Sequence, residues 1–407
     1  MGSTSKPVMH RSRQDAVRGL GALALSSVAT LAPAGDSPWL TGNWGGTRDT
    51  LAAHGLEIEF VSSVDIMAVV DGGLRDGVET PANFDLAFTL DTAAAGWWDN
   101  GAFLVYLLGN SGGDPSLRVG DAQVTSNIEA PNTFKLYEWS YEHRFADDRV
   151  ALLIGLHDLN SDFYVLEHAG LFLNSSFGVG IDISQAGPSI FPTTALAARI
   201  RWTWSEAGYF MTAVYDGIPG DPDDPIGTQL SFAEGDGVFV ISEIGLADGT
   251  GSYYKVGVGG WYHTARFDDI GGTPRHANGG IYLIGERDVW RSDDGRGGGA
   301  FVQVGFADDE RNQFAAYVGG GLTWTGLLPG RAADVAGVAV AHARNSDAFR
   351  RLSADTERGE TTIELSYLMA PAPWLTIEPD LQYVIDPGTD PGVDNALVLG
   401  VRLQLSL

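Results

Sequence analysis

The feature that most constrains the fold is an alternation of apolar and polar residues with a period of two. In residues 396–407, every second position from Leu397 to Leu407 is apolar, and the positions between them include Arg402 and Gln404. Such segments are about ten residues long, which is the length that a tilted strand needs to cross a bilayer. The pattern therefore predicts strands with one apolar and one polar face.

About sixteen segments of this kind can be counted, an even number within the range of single-chain membrane barrels. They lie at 56–67, 84–92, 101–109, 134–145, 149–158, 195–204, 208–216, 238–247, 253–265, 279–290, 298–307, 314–325, 335–344, 360–369, 374–385 and 396–407. Tight turns such as 146–148 alternate with long connections such as 110–133 and 159–194. Short turns on one rim and long loops on the other are typical of outer-membrane barrels. The predicted fold class is all-β, a transmembrane antiparallel β-barrel of about 16 strands.

The chain divides into three parts of different character. Residues 1–34 combine basic residues, a short apolar stretch and small residues at a cleavage position, which predicts a signal peptide that is removed on export. Residues 35–55 form a periplasmic N-terminal segment, with a short helix capped by Thr47 and ended by Gly55. Residues 56–407 form the transmembrane barrel domain, and we expect the protein in the bacterial outer membrane, in contact with its lipid.

Composition excludes several classes of function. Lys and Arg number 25 against 52 Asp and Glu, and the formal net charge of −27 argues against a nucleic-acid partner. The absence of cysteine excludes a disulfide framework and sites that need thiolate ligands. We expect no cofactor and no bound metal ion.

Enzymatic motifs are weak in this sequence. Residues 109–113 match the G-x-S-x-G pattern of a nucleophile elbow, but Asp114 and Pro115 follow where that elbow requires a helix. Glu378 and Asp380 are separated by one residue, so both lie on the same face of one strand. Two such carboxylates could serve glycoside hydrolysis, but a polar face that lines a water-filled lumen explains them more simply. We predict that the protein is not an enzyme.

The charges decide which face of each strand points inward. A charged side chain in the middle of the lipid costs about 2–4 kcal/mol, so the faces that carry Arg199, Arg201, Glu378 and Arg402 must line the lumen. The tryptophans near strand ends are expected to form girdles at the membrane interfaces. They are Trp97, Trp98, Trp139, Trp202, Trp204 and Trp374.

The connection 159–194 is the longest and carries many apolar residues, including Phe163, Phe172 and Phe177. A loop in water would not expose so many apolar groups, so we expect it to fold into the barrel and narrow it. A lid and a contact between subunits are the alternatives for a loop of this length. The predicted pore-lining and substrate-binding residues are Asp158, Asn160, Glu167, Asn174, Asp182, Arg199, Arg201, Trp261, Glu364, Glu378, Gln382 and Arg402.

Several ordered blocks carry a family resemblance. Residues 39–48 read Trp-Leu-Thr-Gly-Asn-Trp-Gly-Gly-Thr-Arg, which resembles the Leu-Thr-Gly-Asp-Trp-Gly-Gly-x-Arg motif that opens carbohydrate-selective porins of the OprB type. Further blocks of the resemblance lie at 171–178, 187–192, 215–222, 327–331, 373–383 and 394–402. The resemblance covers nearly the whole chain after residue 34.

The resemblance implies an outer-membrane porin through which monosaccharides such as glucose diffuse passively, and the charged lumen predicts that ions pass as well. Carbohydrates would then be the transported partners, and the sequence leaves open whether the protein is a monomer or a homotrimer. The alternative is a secreted, soluble β-rich glycan-binding protein or glycoside hydrolase.

Overall fold

The computed structural model describes residues 37–407, except 222, 223, 225, 229–234, 236, 251 and the side chains of 274–276. The signal peptide predicted for residues 1–34 lies outside the described residues. The strands are β1 (Leu56–Gly73), β2 (Gly77–Glu79), β3 (Ala82–Asp91), β4 (Gly101–Ser111), β5 (Thr133–Phe145), β6 (Val150–His157), β7 (Ala195–Thr203), β8 (Gly208–Asp216), β9 (Val238–Asp248), β10 (Tyr254–Asp268), β11 (Pro274–Arg291), β12 (Gly297–Ala307), β13 (Phe314–Thr325), β14 (Val335–Asn345), β15 (Gly359–Ala372), β16 (Leu375–Ile385) and β17 (Asp394–Ser406). The α-helices are α1 (Thr47–Ala53), α2 (Ser116–Val119), α3 (Ile181–Ser184) and α4 (Asp347–Leu352). Single 3-10 turns lie at Trp44–Gly46, Leu159–Ser161, Ala169–Leu171, Ser175–Phe177 and Pro387–Thr389.

The strands pair antiparallel with their neighbours in the chain, and β1 also pairs with β17, so the sheet closes into a barrel. β2 and β3 share one position, because both pair with β1 and only residues 80–81 separate them. Pro81 lies at this break and cannot donate a backbone hydrogen bond to a ladder. The barrel therefore has sixteen strand positions, which confirms the predicted number.

Burial along the strands alternates as the sequence pattern predicts. In β17, Leu399 is exposed on the outer surface, whereas Val398 and Gly400 are buried on the inner side. The tryptophans assigned to the girdles also face outward, since Trp97, Trp98 and Trp202 are largely exposed. The barrel thus presents apolar side chains to the lipid and polar ones to its lumen.

The connections differ in length between the two rims. The rim that carries α1, called the N-terminal rim, has short turns such as 146–149, 204–207 and 373–374. The opposite rim, called the loop rim, carries the long connections 112–132, 158–194 and 217–237. It also carries the short connections 269–273 and 308–313, which the simple alternation of lengths does not predict. There β10 and β11 extend beyond their predicted limits, so strand rather than loop builds this part of the rim.

The N-terminal segment fastens the seam between β1 and β17. The Arg48 guanidinium lies 4.5 Å from the ring centre of Trp39 and 3.9 Å from that of Trp44. It donates to the carbonyl oxygens of Ile58 and Leu407, and the Leu40 amide donates to Ser406. Cation–π contacts and hydrogen bonds therefore join this segment to both seam strands.

The predicted helix in this segment is present, but its cap differs from the expectation. Gly46, with φ +97°, occupies the N-cap position, and Thr47 is the first helical residue. The helix ends at Ala53, and Gly55 follows with φ +84°, in the left-handed region where glycine stops helices.

Candidate functional site

The connection 158–194 folds into the barrel, as its apolar content predicts. Phe163, Phe172 and Phe177 are buried in one cluster with inward-facing side chains of β8–β15, among them Tyr282 and Phe301. Phe172 and Phe177 each pack on Phe301, with ring centres 5.7 and 6.0 Å apart. Apolar burial therefore holds the loop against one side of the lumen.

Small residues on the wall make room for this loop. A Cβ on Gly337 would lie 2.5 Å from Leu171 Cδ2 and 2.8 Å from Phe172 Cζ. A Cβ on Gly305 would lie 2.1 Å from the Asp182 carboxylate. These strands thus present a shallow trough in which the loop lies.

Carboxylates on the wall bind the loop backbone. Glu364 accepts from the amides of Leu173 and Asn174 at 2.5 and 3.1 Å. Glu286 accepts from the amides of Glu167 and His168 at 2.9 and 2.8 Å. Because charge-assisted hydrogen bonds of this kind are strong, these acids fix the path of the loop.

Glu243 is a third anchor of the same kind. Its carboxylate accepts from the Tyr164 amide at 3.1 Å and from the hydroxyls of Tyr209 and Tyr282 at 2.7 and 2.8 Å. Glu243 is buried with its oxygens satisfied by these donors.

A second loop, 112–132, also enters the lumen. Glu360 accepts from the amides of Ala122 and Gln123, and the Gln382 side chain donates to Thr125. The amides of Asn127 and Ser175 donate to the carbonyls of Leu173 and Val124, so the two loops are hydrogen-bonded to each other. The narrow part of the lumen is therefore built by two loops.

At the base of the second loop, Glu129 accepts from the amide of Ser116 at 3.0 Å. Burial, with a smaller contribution from the nearby Asp121 carboxylate, raises the pKa of Glu129 to about 7, although the hydrogen bond from the Ser116 amide opposes the shift. This loop consequently contains an acid that titrates near neutral pH.

Two arginines on the inner face of the barrel form ion pairs with neighbouring carboxylates. Arg199, 1% exposed, donates to Asp162 at 2.9 Å and to Glu142 at 3.1 Å. Arg402 makes two hydrogen bonds of 2.7 Å to the Asp65 carboxylate. Both arginines are therefore neutralised by neighbouring carboxylates.

The structure divides the predicted site residues into two sets. Those that are partly or fully exposed are Asp158, Asn160, Glu167, Arg201 and Arg402. Those that are buried are Asn174, Asp182, Arg199, Trp261, Glu364, Glu378 and Gln382.

The buried set does not meet the expectation that these side chains face the channel. Trp261 stacks on Phe239 beneath the loop, with ring centres 5.6 Å apart, so its faces are closed to a sugar. Asn174 and Asp182 point into the loop–wall interface, where each is 0% exposed. Glu364 and Gln382 bind loop groups and position the constriction.

Sequence reasoning missed Asp65, Glu243 and Glu286. The inward strand positions of these three residues were readable from the alternation, but their partners come from distant segments. The second loop is polar, so no apolar run marked it as inward-folding.

The described residues contain no group of three or more His, Asp and Glu placed to hold a metal ion. No helix among them is both long and apolar enough to span a membrane.

Comparison with known proteins places this barrel among porins. The model of the family described as "Carbohydrate-selective porin, OprB family" matches residues 75–407. Porin B of Pseudomonas aeruginosa is 25% identical, over 95% of both chains. The putative porin QuiX of Acinetobacter baylyi is 22% identical, over 95% of this chain and 98% of its own.

Solved structures share the fold. The high-pH structure of Pseudomonas putida OprB superposes with a TM-score of 0.82 at 22% identity, covering 91% of this chain and 99% of that one. The outer membrane channel DcaP of Acinetobacter baumannii gives 0.54 at 9% identity, covering 86% and 97%. The chain therefore belongs to the OprB family of carbohydrate-selective porins and is a multi-stranded β-barrel of the outer membrane.

Proposed function

We propose that the protein is a passive channel for monosaccharides of the glucose type, with no chemical step. The observation that carries this proposal is the two-loop constriction, in which loop backbone, carboxylates and arginines meet in the lumen. Weak sites that let a solute enter and leave are sufficient for conduction.

The polar passage suits a solute covered with hydroxyl groups. Arg402 is partly exposed beside Asp65 and Asn127, and Asp158 and Asn160 keep contact with water. Donors and acceptors can exchange hydrogen bonds with a sugar as it moves, replacing those it makes with water. The fixed loops limit the size of the solute that passes.

Liposome swelling tests the proposal directly. Proteoliposomes in iso-osmotic glucose, a disaccharide and a trisaccharide should swell fastest with glucose and most slowly with the trisaccharide. Rates should rise linearly with glucose concentration over a wide range, because diffusion through weak sites saturates late. Swelling equal to that of protein-free vesicles would reject the proposal.

A further inference from the structure

We infer that Arg201 and Lys255 form a binding site for monosaccharides that carry a carboxylate, on the side of the constriction nearer the N-terminal rim. This inference rests on the proposed function, because the site is useful only if sugars traverse the lumen. It names a second substrate class, acidic sugars, for the same channel.

Arg201 differs from the other arginines of the narrow region. Arg199 and Arg402 bind carboxylates directly. Arg201 points inward on β7 opposite Met211 of β8 and is partly exposed. Among the residues that the structure describes, none places a carboxylate within ion-pair distance of it.

The nearby acid Asp162 does not neutralise Arg201. It interacts with Arg201 electrostatically, but its Oδ2 atom already contacts Arg199 Nε at 2.9 Å and His157 Nε2 at 3.1 Å. The guanidinium of Arg201 instead lies 5.7 Å from the ring centre of Tyr209. It is partly exposed, and no carboxylate of the described residues accepts a hydrogen bond from it.

Lys255 supplies the second positive charge. Its ammonium lies 5.8 Å from the same Tyr209 ring and donates to the Val165 carbonyl at 2.7 Å. An ammonium has three N–H donors, so this contact does not exhaust it. The Tyr209 hydroxyl is fixed by Glu243 at 2.7 Å, so both cations flank a ring that cannot move freely.

Two of the surrounding acids are engaged by other donors, while the exposed Glu167 interacts electrostatically with Lys255 and not with Arg201. Glu286 lies opposite Lys255 in the β10–β11 register, but it accepts from two loop amides and from the Tyr253 hydroxyl. Glu243 accepts from one amide and two tyrosine hydroxyls. Their charge is spread over these donors, whereas Arg201 has no such partner.

The chemistry of a guanidinium defines the ligand. It can bind a carboxylate through two parallel N–H···O hydrogen bonds, and it offers a neutral hydroxyl only weaker, single ones. A sugar acid is thus held longer than glucose, while partial exposure to water keeps the site weak enough for release.

Block of the ion current in planar bilayers tests the site. Glucuronate and glucose are added separately to the wild type, to Arg201→Gln and Arg201→Lys, and to Arg350→Gln as a control that removes the same charge from exposed α4. Arg201→Gln should weaken glucuronate block about tenfold, as expected for loss of a charge-assisted pair, and should change glucose block less than about twofold. Arg201→Lys should recover part of the effect, and Arg350→Gln should resemble the wild type.

The outcomes separate this inference from the proposed function. Unchanged glucuronate block in Arg201→Gln, or equal weakening for both sugars, overturns the anionic site while glucose passage stands. An equal loss in Arg350→Gln assigns the effect to general surface charge and also overturns it. A wild-type channel that passes neither sugar in liposomes overturns the proposed function and this inference together.

Discussion

Gly337 shows how one missing side chain on the wall fixes the position of a loop. Leu171 and Phe172 occupy the space that a Cβ would need. Gly337→Leu should therefore push the loop away from the wall, because overpacking of this kind costs about 1–3 kcal/mol. Swelling rates should then rise more for a trisaccharide than for glucose.

The control for this variant is Ala336→Leu, one residue earlier on the outer face of β14. A one-residue step moves the side chain from lumen to lipid, where leucine is tolerated. If both variants, folded to the same extent, keep the wild-type ratio of trisaccharide to glucose rates, Gly337 does not position the loop.

Single residues also mark the limit of what the sequence predicts. The alternation correctly assigns Glu364, Gln382 and Trp261 to the inner face. Whether an inward side chain meets water or another segment depends on contacts across the lumen. Glu364 lies in β15, yet its partners are residues 173 and 174, which no local pattern connects to it.

Within a strand, a charge is tolerated on the face that points to the lumen and not on the face that points to the lipid. Leu399 is exposed on the outer face of β17, so Leu399→Arg should lower the yield of folded barrel by a cost of about 2–4 kcal/mol. Gln404 points inward on the same strand, so Gln404→Arg should fold normally and alter conductance. Heat-modifiable gel mobility measures the folded fraction.

Gly400 is a poorer inward control, because a Cβ there would approach Met67 Sδ at 2.8 Å. Equal loss of folded protein in Leu399→Arg and Gln404→Arg would contradict the assignment of faces in β17.

At the scale of the loop, 112–132 should respond to pH through Glu129. Its pKa is raised in the folded protein to about 7, above the value of 4.5 for a free side chain. Between these values the unfolded loop loses its proton first, so the loop loses stability as pH rises through this window and stays less stable above it. Hydrogen exchange at Ser116 and its neighbours should be more protected at pH 5 than at pH 8, after correction for intrinsic rates.

Glu129→Gln provides the comparison, because it keeps an acceptor for the Ser116 amide and removes the titration. The variant should show a weaker dependence of this protection on pH in this range. The same pH dependence in wild type and variant would assign the effect to another group.

The two inward loops were not equally predictable. The many aromatic and aliphatic residues of the connection 158–194 predict that it is buried, because exposing apolar side chains to water is unfavourable. The loop 112–132 enters through hydrogen bonds between polar side chains and backbone, such as Gln382 to Thr125. Polar sequence is equally compatible with exposure to solvent, so only the assembled barrel identifies this loop as part of the constriction.

For the whole molecule, the loops should act as a filter set into an otherwise wide barrel. Replacing residues 167–189 by a short Gly/Ser linker removes most of the apolar contacts and the amide partners of Glu286 and Glu364. The rate ratio of trisaccharide to glucose should rise, because size exclusion relaxes first for the larger solute. Conductance of single channels should rise as well.

Folding of this variant is checked by gel mobility, since it leaves two wall acids, Glu286 and Glu364, without their loop amide donors. A folded variant that keeps the wild-type rate ratio would place the filter on the wall or in loop 112–132.

The pairing of β1 with β17 has a consequence for how the molecule is made. Val61 meets Ser406 and Gly73 meets Asp394, so the ring closes through the contacts with the largest separation along the chain. Until that moment two strand edges have unpaired backbone groups, which favour association with other chains. Contacts between residues so far apart in the sequence form slowly. Seam closure should therefore be slow, and both strand edges stay open to aggregation until it is complete.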